Sequence, residues 1–305
     1  MISRNSRSLI RMYKAFNDNS FKAVKMSSSA PEYETLKVTN PKEFVYHVEL
    51  CRPDKLNAMN NTMWLEIGKC FNTLDWDENC RVIVLSGAGK IFTAGIDLID
   101  AAEMGAKLGD LNDIARRAKL LRQFITQYQN SITSLETCKK PVITAVHSAC
   151  VGGGVDLITA ADIRYCSKDA WFQVKEVDIG MAADVGTLQR LPRVIGSDSL
   201  VRELCYTARK LFADEALSSG LISRVFEDKE SMVQEAISTA QVIASKSPVA
   251  VQGTKANLVY SRDHTVQEGL DHISQWNQMA MQSDDFAEAT VAAATKQKNV
   301  VYAKL

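Results

Sequence analysis

Gly152-Gly153-Gly154-Val155-Asp156-Leu157 is the stretch that decides the fold, and the apolar run Val142–Val146 comes shortly before it. A second apolar run, Val82–Gly87, leads into a similar turn, Phe92-Thr93-Ala94-Gly95-Ile96-Asp97-Leu98. Short apolar runs predict buried strands, and glycine lets the following backbone approach a ligand or adopt positive φ. A helix that begins at such a turn has free N–H groups. The two turns can therefore supply two N–H groups to one anionic oxygen.

The rest of the chain alternates strands and helices up to about residue 195. Apolar, β-branched runs predict strands at 44–50, 82–87, 142–146 and 170–174. Helices are predicted to begin near Asn60, to span 112–137 with a buried stripe, and to follow Gly154. The stripe consists of Leu121, Ile125, Tyr128, Ile132 and Leu135. Beyond residue 199 the pattern is helical, with helices at 208–220, 229–246 and 265–297. This order predicts an α/β core followed by an α-helical C-terminal region.

Three acids follow the second strand pattern in apolar surroundings. Asp156 is expected in the first turn of the short helix, Glu176 at the end of the strand near 175, and Asp184 in an apolar turn. Apolar surroundings raise the pKa of a carboxyl group, which suits proton transfer. Helix caps or surface ion pairs are the alternative role for these residues. Spacing does not exclude the neighbouring acids, which are Asp162, Asp169 and Asp178.

Composition and motif spacing exclude several other functions. The 305 residues include 36 Lys plus Arg and 36 Asp plus Glu, so no basic nucleic-acid-binding surface is expected. No apolar run is long enough to span a bilayer, and neither glycine turn has the spacing of a phosphate loop. His147 is the only histidine between residues 48 and 263, which leaves no partner for a Ser-His-Asp or metal site. The seven scattered cysteines predict free thiols in a reducing compartment.

Both ends of the chain resemble targeting signals. Residues 1–30 are rich in Arg, Lys and Ser and contain a single acid, Asp18. Such a composition is typical of a mitochondrial transit peptide, with a disordered basic tail as the alternative. Ala303-Lys304-Leu305 resembles the Ser-Lys-Leu peroxisomal address, which a peroxisomal import receptor reads. The expected location is the mitochondrion, the peroxisome or both.

The glycine turns, together with Glu176, resemble the enoyl-CoA hydratase/isomerase, or crotonase, superfamily. Phe92–Leu98 is similar to the signature F-x-A-G-x-D-[LI], and Gly152–Leu157 is similar to G-G-G-x-[ED]-L. Asp162–Arg164 and Thr187–Pro192 match as well, and the resemblance covers about residues 35–300.

The resemblance implies an α/β fold in which ββα units form a spiral. The spiral core is expected over residues 31–200, after the targeting segment 1–30. Residues 201–305 are expected to form the helical region that builds homotrimers, often paired into hexamers. The family binds acyl-coenzyme A, so coenzyme A enters with the substrate and no separate cofactor or metal is expected.

By position, the resemblance also implies substrate-binding residues. The backbone N–H groups of Ile96 and Gly153 match the oxyanion hole for the thioester oxygen. Gly95, Ile96, Asp97, Leu98 and Ile99 match the loop that meets the coenzyme A moiety. The turn Arg52–Asn57 resembles a second coenzyme A contact.

Departures from the hydratase pattern indicate a narrower resemblance. Hydratases carry Glu at the position of Asp156 and glycine-rich residues near Asp184. The additional acid at 184 resembles the Δ3,5-Δ2,4-dienoyl-CoA isomerases, which implies removal of a proton at C2 and delivery at C6. We expect Asp184 to take the proton from C2, Glu176 to deliver a proton to C6, and Asp156 to orient or tune the other two acids. The roles of Asp184 and Glu176 could be reversed.

Three other functions fit the same fold. A 2-enoyl-CoA hydratase needs only two carboxylates, so a third buried charge would be an unexplained cost. An acyl-CoA hydrolase is a further possibility. A non-catalytic scaffold or RNA-binding homologue is expected to lose the acids or gain a basic stripe, and this sequence does neither.

Overall fold

The computed structural model describes residues 32–109, 111, 113–297 and 300–305, and the predicted targeting segment 1–30 lies outside them. The strands are β1 (Leu36–Lys42), β2 (Val45–Leu50), β3 (Val82–Gly87), β4 (Val142–Val146), β5 (Ala149–Val151), β6 (Ile163–Ser167), β7 (Trp171–Gln173), β8 (Leu211–Phe212) and β9 (Arg224–Phe226). The helices are α1 (Asn61–Trp76), α2 (Leu98–Gly109), α3 (Ile114–Thr137), α4 (Gly153–Thr159), α5 (Thr187–Val194), α6 (Asp198–Thr207), α7 (Ala213–Ser218), α8 (Lys229–Ala244), α9 (Pro248–Ser261), α10 (Val266–Ala280) and α11 (Asp284–Thr295). Two short 3-10 helices span Pro53–Lys55 and Glu176–Ile179.

The strands form two sheets. The larger has the order β1-β2-β3-β4-β6-β9 and the smaller has the order β5-β7-β8. In the larger sheet β1 pairs antiparallel with β2, while β2, β3, β4, β6 and β9 run parallel. β3 and β4 are buried along their whole length, which explains their continuous apolar sequences. Because parallel strands end at one edge, the two glycine turns begin side by side.

Helices cover both faces of the larger sheet. On one face, α1 and α3 pack over a core that includes Phe71, Ile83 and Leu135, all fully buried. On the other face, α8 places Met232 and Ala236 against a second cluster. Burial of each large apolar side chain contributes about 1.5–3 kcal/mol. The position of the glycine turns is therefore fixed by a core on either side of their strands.

Several predicted elements are confirmed. Helix α1 begins after Asn60, whose side chain accepts a hydrogen bond from Met63 N at 3.0 Å. Met63, Ile67 and Phe71 on one face of α1 are buried, and α4 follows the glycine turn as predicted. Helix α3 lies within the predicted span, but the buried stripe is only partly correct. Ile132 and Leu135 are buried, whereas Leu121 is exposed because the first turns of α3 extend beyond the core.

Other predictions are wrong in detail. Strands β1, β5, β6, β8 and β9 have no counterpart among the predicted strands. Of the helix predicted at 208–220, only Ala213–Ser218 is helical, as α7. The reason is that Ala208 ends α6 in a left-handed conformation with a φ of 50°. The helix predicted at 265–297 is two helices, and Ser283 caps the second by accepting from Phe286 N. Strand β7 is only three residues long, so Glu176 lies in the following 3-10 helix rather than at a strand end.

The region after residue 200 contributes strands as well as helices. β8 pairs with β7, and β9 extends the larger sheet beside β6. Residues 32–305 accordingly form one compact unit. Among the described residues, none of the helices combines the length and hydrophobicity that a bilayer-spanning segment requires.

Candidate active site

The first glycine turn directs one backbone N–H group into a cavity. Met59 N donates to Gly95 O at 2.8 Å, and Asp97 N donates to Met59 O at 3.1 Å. Successive peptide groups of extended backbone point to opposite sides. The N–H of Ile96 therefore points away from Met59, toward the second glycine turn.

The second turn meets the first at close range. Thr93 N donates to Ala149 O at 3.0 Å, and Val151 N donates back to Thr93 O at 3.2 Å. Gly95 has a φ of 86°, and a Cβ atom there would lie 2.8 Å from Val151 O. Gly153 is the first residue of α4, so its N–H has no acceptor within the helix. Ile96 and Gly153, the two residues predicted to supply the N–H donors, thus border one cavity.

This cavity has a volume of about 140 Å³. Its lining residues are Trp64, Ala94, Gly95, Ile96, Leu98, Tyr128, Val151, Gly152, Gly153, Lys175, Glu176, Ile179, Met181, Asp184 and Val185. Apart from the carboxyl groups and the turns, the lining is mostly apolar and aromatic, which keeps water away from reacting groups. The predicted residues Gly95, Ile96, Leu98 and Gly153 all border the cavity.

Two aromatic residues of the lining were missed by sequence reasoning. Trp64 and Tyr128 stack with ring centroids 4.9 Å apart and an interplanar angle of 18°. Trp64 Nε1 donates to Met59 O at 3.1 Å, and Tyr128 Oη donates to Asn61 Oδ1 at 3.1 Å. Their only sequence signal is that each is a large aromatic residue with a polar atom on a core-facing helix. The pair forms a flat, fixed wall of the cavity.

Asp156 lies in the first turn of α4, as predicted, and is fully buried. Its Oδ1 accepts from Thr187 N at 2.5 Å, while Oδ2 has no hydrogen-bond partner among the described residues. Burial, with a contribution from the negative charge of Glu176, raises the pKa of Asp156 to about 7. Asp156 does not line the cavity. It interacts electrostatically with Glu176, which does.

Glu176 borders the cavity beside the second turn. A Cβ atom on Gly152 would lie 3.4 Å from Glu176 Oε1. The other oxygen, Oε2, is buried without a partner among the described residues. Burial raises the pKa of Glu176, and the charge of Asp184 raises it further. The carboxyl group therefore lies beside Gly152 at the cavity, and its raised pKa suits proton transfer.

Asp184 borders the same cavity from the turn that precedes α5. Burial raises the pKa of its carboxyl group. Its backbone oxygen accepts from Gln129 Nε2 at 2.6 Å. The structure thus brings Glu176 and Asp184 to one cavity, with Asp156 buried nearby.

Asp97 forms an ion pair and caps a helix, and both contacts stabilise the fold. Its Oδ2 pairs with Arg52 Nη1 at 2.9 Å, and its Oδ1 caps α2 by accepting from Ile99 N at 3.2 Å. The hydrogen bond from Arg52 lowers the pKa of Asp97. Neither Asp97 nor the largely exposed Ile99 lines the cavity. Asn57, at the end of the same turn as Arg52, is buried and donates to Phe92 O at 3.1 Å, which holds the first glycine turn.

The neighbouring acids have other partners. Asp162 pairs with Lys255 at 2.7 Å, Asp178 pairs with Lys175 at 2.9 Å, and Asp169 accepts from Ser167 Oγ. His147 hydrogen-bonds to Gly89 O at 3.0 Å at the end of β4, as its position predicts. These contacts give structural roles to the three acids that sequence spacing could not exclude from the site.

The sequence and fold match one family of known proteins. The enoyl-CoA hydratase/isomerase family profile matches residues 40–301. A Homo sapiens protein named Delta(3,5)-Delta(2,4)-dienoyl-CoA isomerase, mitochondrial, is 56% identical over 276 residues, which are 90% of this chain and 84% of that protein. An Arabidopsis thaliana protein named as the peroxisomal form is 45% identical over 268 residues, covering 87% and 96% of the two chains.

Solved structures agree with this match. The crystal structure of an enoyl-CoA hydratase from Bacillus anthracis superimposes with a TM-score of 0.79 at 26% identity, covering 88% of this chain and 98% of the other. Its similarity confirms the predicted fold class at the level of the whole chain. The chain belongs to the enoyl-CoA hydratase/isomerase family, within the crotonase superfamily.

Proposed function

We propose that this protein converts 3,5-dienoyl-CoA to 2,4-dienoyl-CoA. The observation that carries the proposal is that Glu176 and Asp184 border one cavity together with Ile96 and Gly153, whose N–H groups are the expected oxyanion donors. The named activities of the human and Arabidopsis relatives support the same reaction. The substrate thioester oxygen would accept hydrogen bonds from both N–H groups.

The reaction moves one proton and three electron pairs. Breaking the C2–H bond gives a trienolate, whose charge extends from the thioester oxygen to C6. Preorganised N–H donors stabilise such an oxyanion, and the loss of one donor typically costs about 100-fold to 1,000-fold in rate. Protonation at C6 then gives the 2,4-diene. Because C2 and C6 are four bonds apart, two separate carboxyl groups serve them better than one.

The geometry supports Glu176 as the base at C2 and Asp184 as the acid at C6. C2 is bonded to the thioester carbon, and Glu176 Oε1 lies beside Gly152, the residue before the one whose N–H would hold the thioester oxygen. This assignment reverses the one first expected from the sequence. Asp156 would orient or tune the other two acids from its buried position, where burial and the charge of Glu176 raise its own pKa to about 7. The aromatic wall of Trp64 and Tyr128 would hold the conjugated chain flat.

The proposed reaction requires no redox cofactor or metal, since only a proton is transferred and coenzyme A arrives with the substrate.

We further propose that the protein acts in mitochondria, peroxisomes or both, as the names of its relatives suggest. Assembly into homotrimers or hexamers, and binding of an import receptor to Ala303–Leu305, remain predictions from the sequence.

The test is to mix purified protein with 3,5-dienoyl-CoA and to follow the ultraviolet absorbance of the conjugated 2,4-dienoyl thioester. Rapid appearance of that absorbance is the expected result. A parallel reaction with 2-enoyl-CoA measures hydration as a loss of absorbance. Robust hydration without isomerisation would overturn the proposal and identify a hydratase.

A further inference from the structure

Helix α3 carries a polar stripe directly beside its buried apolar stripe. Gln129, Thr133 and Glu136 follow one another at spacings of four and three residues, so they share a face of the helix. Each lies one position after a residue of the apolar stripe, namely Tyr128, Ile132 or Leu135. The apolar stripe packs into the core and ends at the cavity, whereas the polar stripe faces the segment that contains Asp184.

The end of this stripe holds the segment after Asp184. Arg190 Nη2 donates to Glu136 Oε2 at 2.8 Å and to Thr133 Oγ1 at 3.0 Å. The Arg190 guanidinium lies against Gly186, where a Cβ atom would be only 2.0 Å from Nη1. Gly186 also has a φ of 139°, which disfavours any residue with a side chain. The turn is thus fixed on one side by a buried ion pair.

Gln129 holds the other side of the turn. Its Nε2 donates to Asp184 O at 2.6 Å. Behind Asp184 and Val185 lies a second cavity of about 550 Å³, which Gln129 also lines. Asp184 and Val185 line both cavities, so the turn that carries Asp184 separates the two. A backbone hydrogen bond at this point limits how far Asp184 can move.

We propose that Gln129 is a positioning residue that holds Asp184 at the distance required for proton delivery to C6. The inference rests on the proposed function, because it assigns Gln129 to one of its two proton transfers. Gln129 does not line the catalytic cavity. It acts through the backbone of Asp184, so its loss should leave the removal of the C2 proton by Glu176 in place.

Gln129→Met preserves the length of the side chain and removes its donor. We expect kcat for isomerisation to fall at least about tenfold with little change in KM, since a misplacement of about 1 Å can cost about 100-fold. Exchange of the C2 proton with D2O, followed by NMR, should continue at the wild-type rate. Gln127→Met is the matched control, because Gln127 is an exposed residue of the same helix that lines neither cavity.

A second variant, Gln129→Glu, provides an independent readout. It replaces the donor with a negative acceptor near Asp184, which should raise the pH at which kcat declines on the alkaline side. If both variants exchange the C2 proton and isomerise the substrate at wild-type rates, the role of Gln129 is overturned while the proposed function stands. A parallel loss of C2 exchange and isomerisation in Gln129→Met would indicate a general structural role and would also overturn it. A wild-type protein without isomerase activity would overturn the proposed function itself.

Discussion

Asp156, Glu176 and Asp184 have the same functional group in three different surroundings. Asp156 is fully buried behind the cavity, Glu176 lies beside the glycine turn, and Asp184 lies on a turn between two cavities. Burial is the first cause of the raised pKa in each case. Their different positions, rather than their chemistry, divide the work among them.

Asp184→Asn should reduce kcat for isomerisation by at least about 100-fold, because the amide does not supply the C6 proton. The circular dichroism spectrum and the melting temperature should stay close to wild type. Asp178→Asn is the control, since Asp178 is an exposed acid nearby that pairs with Lys175. Unchanged turnover in Asp184→Asn would remove Asp184 from the mechanism.

Asp156→Asn should stabilise the protein at neutral and alkaline pH. The unfolded carboxyl ionises near 3.8 and the folded one near 7, so the folded state binds more protons between these values. Wild-type stability therefore falls as pH rises through this window. At about 1.4 kcal/mol per pH unit, the upper limit of the gain is about 4 kcal/mol.

Thermal or urea unfolding at pH 5 and pH 8 measures this effect. The stability difference between Asp156→Asn and wild type should grow in favour of the variant from pH 5 to pH 8. A variant that is destabilised equally at both pH values would show that ionisation of Asp156 carries no cost.

At the scale of elements, the site depends on the contact between the two glycine turns. Gly153→Ala would place a methyl group 2.7 Å from Trp64 Cη2. Because Trp64 is buried and stacked on Tyr128, the turn must move instead, and the N–H of residue 153 moves with it. We expect kcat/KM to fall about 100-fold, as for the loss of one oxyanion donor.

Gly105→Ala is the matched control for this substitution. Gly105 lies in α2, and no atom of the described residues lies within 4 Å of an added Cβ, so alanine should be tolerated and should favour the helix slightly. Activity of Gly153→Ala equal to that of Gly105→Ala would contradict the role given to the second turn.

Sequence patterns predicted the elements that are long or continuously apolar, such as α1, α3, β3 and β4. They failed where tertiary contacts decide the conformation. Strand β8 has only two residues and forms because Leu211 and Phe212 pair with β7. The left-handed Ala208 before it has no sequence signal, since alanine normally favours a helix.

The same distinction applies to the site. The glycine turns could be found because glycine permits backbone conformations that other residues avoid. The three acids could be found because charged residues are unusual in apolar surroundings. Gln129 and Trp64 could not, since glutamine and tryptophan on a helix have no such restriction. Their roles follow from which turn packs against each helix, and this is a property of the complete fold.

At the scale of the molecule, α9 is joined to the sheet core by a buried cation. Lys255 is 5% exposed and pairs with Asp162 at 2.7 Å. Its Nζ also donates to Leu135 O and Lys140 O, both at 3.0 Å. The C-terminal helices are thereby linked to the same strands and helix that support the active site.

Lys255→Met should lower the free energy of unfolding by about 2 kcal/mol, because it leaves two buried carbonyl groups without their donor and removes the cation that pairs with Asp162. Lys246→Met, at an exposed position before α9, should change it by less than about 0.5 kcal/mol. Urea unfolding of both variants provides the comparison. Equal stabilities would show that the buried contacts of Lys255 do not anchor the helix.

The central claim is that Glu176 and Asp184 perform separate proton transfers at the two ends of one diene. The most direct test is to incubate 3,5-dienoyl-CoA in D2O with Asp184→Asn and with Glu176→Gln, and to follow C2 deuteration and product by NMR. Asp184→Asn should still exchange the C2 proton while forming almost no 2,4-dienoyl-CoA, and Glu176→Gln should do neither. Loss of C2 exchange in Asp184→Asn with its retention in Glu176→Gln would contradict this assignment.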